Sequence, residues 1–199
     1  MIPGFIGWLR QVAPGVNVRI RSIGSGLPDE LVSGRLDLVL AGAEVERTLG
    51  LDRDAMRTRV IDEPFCCLLR RGHPALAQDL DLDTYVRLSH VMVSTTGGET
   101  GVVDEALAGH GLTRRVAVTV PSFPAAAYIV ESSDLIATLP RAVAERAERL
   151  EIEVRPPPLE LPRSVAYLWW HARFQQDPGH GWWRHALAEA LAPFRRDDP

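Results

Sequence analysis

Lysine is absent from the 199 residues, so all 22 basic side chains are arginines. A Walker-type phosphate loop, a pyridoxal Schiff base and a lysine general base each need that side-chain amine, and all three are excluded. Cysteine is scarce: only Cys66 and Cys67 occur, as neighbours in the apolar run Phe65 to Leu69. Adjacent residues of a strand point to opposite faces, so a bridge between them would need a distorted backbone. Reduced core thiols are expected, and with them a cytoplasmic protein. No apolar run approaches the roughly 20 residues that cross a bilayer. Met1 leads into an amphipathic segment with Arg10 and Pro14, not into a basic start and a long apolar stretch, so no export signal is expected.

Other patterns are missing as well. The net charge is -4, with both signs mixed along the chain, so the basic stripe of a nucleic-acid footprint is lacking. No Gly-x-Ser-x-Gly elbow or His-Glu-x-x-His pair occurs, and the run Ile23 to Gly26 is too short for a dinucleotide loop. His73, His90 and His110 have no His, Cys or carboxylate partner at ligand spacing. The expectation is therefore no catalytic residue, no metal and no cofactor, in a protein that is not an enzyme.

What remains is a well-patterned globular chain. With 46% hydrophobic residues it can build one large domain or two lobes of roughly 100 residues. Ile2, Phe5, Ile6, Leu9 and Val12 follow helical spacing and stop at Pro14-Gly15. Val16, Val18 and Ile20 alternate with polar residues and predict a half-exposed strand. A short helix from Pro28 to Gly34 precedes a buried strand, Leu36 to Leu40. The rhythm resumes with strands at 91–93, 116–120 and 135–138 and helices at 100–110, 124–132 and 141–150. Strands separated by helices predict parallel pairing in an α/β sheet. The apolar strand Phe65 to Leu69 and a later one, Val165 to Trp170, look like two crossings between lobes, and a helix over Trp182 to Leu191 closes the first. His180 and His185, near the start of that helix, are expected to be solvated.

In order, "ELVSGRLDLVLAG" (30–42), "EPFCCLLRRGHPAL" (63–76), "HVMVSTTGGETGVVDEALAGHGL" (90–112), "VPSFPAAAYIVESSDLIATLPRAVAE" (120–145) and "YLWWHARFQQDPGHGWWRHAL" (167–187) cover nearly the whole chain. Together they resemble the effector-binding domain of LysR-type transcription regulators. The resemblance implies the type 2 periplasmic-binding-protein fold: two Rossmann-like α/β lobes joined by two crossover strands. Lobe I is expected over residues 1–66 plus 164–199 and lobe II over 67–163. The family's DNA-binding domain, linker helix and first strand are expected to be absent from this chain, so DNA is a partner only through a missing N-terminal domain. The last segment looks most like regulators of nodulation and of aromatic-compound degradation, which implies an aromatic or phenolic acid as effector.

In an open parallel sheet, ligands sit where strand ends meet helix starts. That places candidate effector contacts at Gly42, at Ser94, Thr95, Thr96 and Gly97, at Ser122 and Phe123, and at His171. A helix N-terminus favours an anion by about 0.3 to 1 kcal/mol. Each residue has a plainer reading: the hydroxyls as helix caps, Phe123 as core packing, His171 as a backbone-bonded structural histidine. The family's use of two-fold-related elements implies a homodimer or homotetramer, its interface built from Phe5, Ile6, Leu9, Val18 and Ile20. Two further functions share the fold. A solute-binding protein of a transporter would carry an export signal, and an enzyme would use Cys66 or Cys67 to attach a cofactor.

Overall fold

The computed structural model describes residues 2–22, 26–42, 54–95, 97–147 and 149–195. It divides into two compact units, residues 1–62 with 165–199 and residues 63–164.

The first unit opens with α1 (Ile2–Val12), whose helical spacing turns Phe5 and Leu9 inward. The Phe5 ring meets Trp183 edge-on at 5.2 Å, and Trp8 stacks on Trp182 at 6.1 Å. Both tryptophans belong to the last helix, Pro178–Leu191. Residues 16–20 are exposed, but among the described residues they join no strand. The expected strand there is corrected: alternation marks a chain able to extend, while pairing needs a neighbouring edge. Helix α2 (Leu27–Ser33) carries Pro28 in its first turn and ends on Gly34 at φ 73°, the left-handed conformation that favours glycine. Strand β1 (Val39–Gly42) pairs antiparallel with β8 (Ser164–His171), Val39 opposite Trp169. Strand β2 (Ala55–Glu63) lies on the other side of β8 in this three-stranded sheet. The guanidinium of Arg57 sits over the rings of Tyr167 and Trp169, at 4.7 and 4.9 Å.

The second unit holds a five-stranded sheet in the order β5-β4-β6-β3-β7. Its strands are β3 (Phe65–Arg70), β4 (Ser89–Val93), β5 (Arg115–Val120), β6 (Leu135–Pro140) and β7 (Ile152–Arg155). Strand β4 runs parallel to β5 and β6, as the strand-helix rhythm predicts. Strand β3 is antiparallel to both its neighbours. It enters the sheet from β2 without a crossover helix, so the right-handed βαβ rule does not govern it.

The helices of this unit are α3 (Leu82–Arg87), α4 (Val102–Gly109), α5 (Phe123–Glu131) and α6 (Arg141–Arg146). They cover both faces of the sheet. Cys66 and Leu68 pack with Ala126, Ala127 and Val130 of α5 and Ala144 of α6. Cys67 and Leu69 pack with Tyr85 of α3 and Val103 and Leu107 of α4. A strand buried on both faces must be apolar at every position, and "FCCLL" meets that need. Helix α6 ends at Arg146, short of the expected Leu150. The final helix, α7 (Pro178–Leu191), starts four residues before the expected Trp182, because the Asp177 side chain accepts the His180 N–H at 2.7 Å and Pro178 fills the first turn. No described helix is long and apolar enough to cross a membrane.

The two thiols sit on opposite faces of β3, so they form no bridge, and both are buried. Burial pushes Cys66 up to about 11 and Cys67 up to about 12, so thiolate is scarce at neutral pH. In the native chain at pH 8, a chromogenic disulfide reagent is expected to modify neither within minutes. In denaturant it should modify both, and rapid modification of a native thiol would contradict this packing.

Candidate functional site

The crossovers of the second unit diverge at β4 and β5. From the carboxyl end of β4 the chain passes into α4 on one face of the sheet, and from that of β5 into α5 on the other. Adjacent parallel strands whose connections leave to opposite faces open a crevice beyond their carboxyl ends. Val93 and Val120 are the last paired residues there, and the Ser94 N–H donates to the Val120 carbonyl at 3.0 Å. The loop after β4 thus starts beside the turn after β5, which brings Ser94 and Ser122 to one end of the sheet.

The loop Ser94–Gly101 is short and mostly exposed. Gly97 adopts φ +82°, a left-handed conformation that strains other residues. A Cβ added at Gly98 would lie 3.8 Å from Ser94 Oγ, so the turn folds back over that hydroxyl. Thr95 is exposed, and Thr96 lies outside the described residues. Ser122 caps α5: its Oγ accepts the Ala125 N–H at 3.3 Å. The capping reading of Ser122 is therefore a fact of the structure, and it leaves the hydroxyl proton available. Phe123 is 36% exposed, a ring face in the first turn of α5. The plain core reading does not describe it.

In the first unit, Gly42 ends β1 and His171 ends β8. His171 Nδ1 accepts the Arg173 N–H at 3.1 Å and caps the 3₁₀ turn Ala172–Phe174. This fixes Nδ1 as an acceptor and puts the proton of the neutral ring on Nε2. His180 departs from expectation: it is half-buried. Its ring stacks on Phe174 at 4.9 Å, Nε2 lies 3.0 Å from the Asp37 carbonyl, and Nδ1 lies 2.7 Å from Arg184 Nη1. It joins α7 to the segment before β1. His185 is exposed, as expected.

The expected interface residues also divide. Phe5 and Leu9 are 4% and 0% exposed, so they belong to the core and are withdrawn from any outer surface. Helical spacing gave the apolar face of α1 but not what it packs on, and α7 takes it. Ile6 is half-buried, while Val18 and Ile20 are exposed, as are Trp8 and Val12.

Sequence reasoning missed a polar network behind the loop. Asp104, in the first turn of α4, accepts the Gly101 N–H at 2.8 Å, half of a capping box. The same carboxylate takes a two-pronged bond from Arg114, Nε at 2.8 Å and Nη2 at 2.9 Å. The Arg114 side chain is only 3% exposed. Its Nη1 reaches His90 Nδ1 at 3.4 Å, and His90 Nε2 lies 2.9 Å from the Tyr85 carbonyl. A guanidinium only donates and a carbonyl only accepts, so His90 must be the neutral tautomer with its proton on Nε2. The Tyr85 hydroxyl in turn sits 2.6 Å from Thr138 Oγ1. Burial favours the neutral form of Asp104, but the Arg114 bonds and the Gly101 N–H outweigh it and hold the carboxyl below its usual range. Burial likewise pushes His90 down, to about 4, and the facing Arg114 acts in the same direction. A helix cap such as Asp104 is recognisable from sequence. Its pairing with Arg114, across the Gly111 turn and out of helical register, is not.

Among the described residues no group of three His, Cys, Asp or Glu side chains is placed to hold a metal ion. The chemistry on offer is recognition: hydroxyls, a glycine turn, an exposed ring and a helix start at the ends of two parallel strands.

The sequence and the fold are similar to those of known proteins. The family model for the LysR substrate binding domain matches residues 1–192. The chain is 32% identical over 193 residues to the HTH-type transcriptional activator NagR of a Ralstonia species, covering 96% of this chain and 62% of NagR. It spans about six tenths of the length of curated relatives such as NagR and SyrM. The regulatory domain of MexT, a transcriptional activator in Pseudomonas aeruginosa, superposes with a TM-score of 0.79 at 26% identity, covering 94% of this chain and 90% of that one. The effector binding domain of QuiR in complex with shikimate shares the fold at 13% identity, TM-score 0.70, over 98% of this chain and 92% of that one.

The unfolded state binds a proton at His90 below its ordinary value of 6.5, and the native state resists until about 4. Stability is therefore whole above pH 6.5 and falls as pH drops to 4, by up to about 3 kcal/mol from this group. Urea denaturation at pH 7 and 4.5 should show the loss, and His90→Gln should remove most of the pH dependence in that window. An unchanged dependence in the variant would place its origin elsewhere.

Proposed function

Because the chain belongs to the family of LysR substrate-binding domains, we propose that it is the effector-sensing module of a LysR-type transcription regulator. The two units serve as its regulatory lobes, and it acts on transcription through a DNA-binding domain outside these residues. The observation that carries this reading is that Ser94 and Ser122 both follow the carboxyl ends of adjacent parallel strands whose helices leave to opposite faces, with the Ser94 N–H bonded to the Val120 carbonyl. Such a crevice is the usual ligand position in an open α/β sheet.

The proposed contacts in the second unit are Ser94, Thr95, Thr96, Gly97, Ser122 and Phe123; for the first unit, considered by itself, they are Gly42 and His171, at the ends of β1 and β8. Hydroxyls and the amides of a helix start suit a carboxylate or phenolate, and the exposed Phe123 ring suits a flat apolar body. An aromatic or phenolic acid combines both features. QuiR, with shikimate bound, is a relative in fold whose ligand carries a carboxylate on a six-membered ring. An effector that binds one arrangement of the regulator better than another shifts the population toward it, which is how a sensing module controls its output.

We place the dimer contact on the outward face of α1 and on segment 16–20. There Trp8, Val12, Val16, Val18 and Ile20 are exposed apolar side chains close together in sequence.

Thermal denaturation with benzoate, salicylate and shikimate tests the ligand class. A ligand at 100 times its Kd adds about 2.7 kcal/mol, or about 5 °C or more for a chain of this size. Benzoate or salicylate is expected to give such a shift, with shikimate as the non-aromatic ring acid for comparison; no shift from either aromatic acid would count against this ligand class. Ile20 is 66% exposed, so Ile20→Asp should leave the fold intact and lower the sedimentation coefficient from dimer to monomer. A variant that sediments like its parent would move the interface elsewhere.

A further inference from the structure

The loop Ser94–Gly101 is fixed at its two ends by different means. At the near end the Ser94 N–H is tied to the Val120 carbonyl of the neighbouring strand. At the far end the Gly101 N–H is tied to the Asp104 carboxylate, and residues 97–100 between them are exposed. Asp104 is itself held by Arg114, and Arg114 rests on His90. His90 belongs to β4, the strand from which the loop departs. Both ends of the loop are thus referred to the same stretch of sheet, one through the backbone and one through three side chains.

A buried ion pair is weak evidence for stability, since desolvation cancels much of its attraction. Its bidentate geometry is exacting, and what it supplies is position. Arg114 is nearly sealed from water, His90 is completely so, and the tautomer of His90 is set by its two partners. The fork gives two N–H bonds to Asp104 and one to His90, and through the Asp104 carboxylate that arrangement holds Gly101.

We propose that Asp104 and Arg114, seated on His90, are positioning residues for effector binding: they hold the far end of the loop, residues 97–101, in the shape that receives an anionic ring. This rests on the reading of that loop as an effector contact. Neither residue touches the effector. Each acts through the Gly101 N–H and the first turn of α4, so the pair sets affinity separately from fold stability.

The test uses the full chain, salicylate, benzoate and shikimate as probes, calorimetric titration, and amide hydrogen exchange read by peptide. Asp104→Asn keeps size and an acceptor for Gly101 but loses the charge that holds Arg114, and Arg114→Met keeps the apolar stem but loses the fork. Each is expected to raise the Kd of the bound probe about tenfold and to speed exchange at residues 98–101 by a similar factor. The double variant should be no worse than either single one, because the pair acts as a unit. Exchange in β3 and β6 should stay at the parent rate, which separates a loosened loop from a damaged core. If Arg114→Met does not fold, Asp104→Asn carries the test alone. Variants that bind with the parent Kd overturn the positioning role and leave the site reading intact. A parent chain that binds none of the three acids overturns the site reading, and this inference with it.

Discussion

Burial of β3 and its neighbours on both faces is the constraint on which the rest of the second unit depends. A sheet with one wet face can place its helices on one side only, and its crossovers then all leave in the same direction. Here the residues Cys66, Cys67, Leu68 and Leu69 demand cover above and below, and the helices divide accordingly. That division makes the connections after β4 and β5 diverge, and the divergence opens the sheet end where Ser94 and Ser122 lie. The divergence of the connections is thus a product of core packing, made before any ligand is considered.

Much of this was legible in the sequence because local signals and global packing agree. The α1 pattern stops at Pro14-Gly15, Gly34 ends α2, and Ser122 with Pro124 opens α5 where their chemistry says they should. The two-lobed α/β class follows from the alternation of strands and helices, and the family comparison carries it. Other features were hidden for physical reasons. Strand β2 shows Arg57 and Arg59 on an outward stretch, so its apolar signal is confined to Val60 and Ile61. Segment 16–20 alternates like a strand yet has no strand partner among the described residues, because alternation reports what a chain can bury and not whether an edge is near. The spacing that made Phe5 and Leu9 look like an interface was equally that of an inward helix face.

The candidate site was legible as positions and not as a network. Strand ends and helix caps have local signatures, so Ser94, Gly97 and Ser122 were identifiable one by one. The partnership of Asp104 with Arg114 and His90 joins a helix start, the exit of the same helix and a strand core. No spacing rule connects such residues, since the turn at Gly111, with its positive φ, sets their approach.

The placement of α4 and α5 on opposite faces bears on how an occupied crevice behaves mechanically. Side chains on the α4 face and on the α5 face interdigitate in separate layers, and the sheet is the wall between them. A small molecule that engaged Ser94 and Ser122 together, as proposed, would act as a rivet through that wall, adding a link between the layers beside that of the sheet itself. Its seating would be felt as stiffening of two hydrophobic layers at once, and a compound gripping one hydroxyl alone would stiffen a single layer.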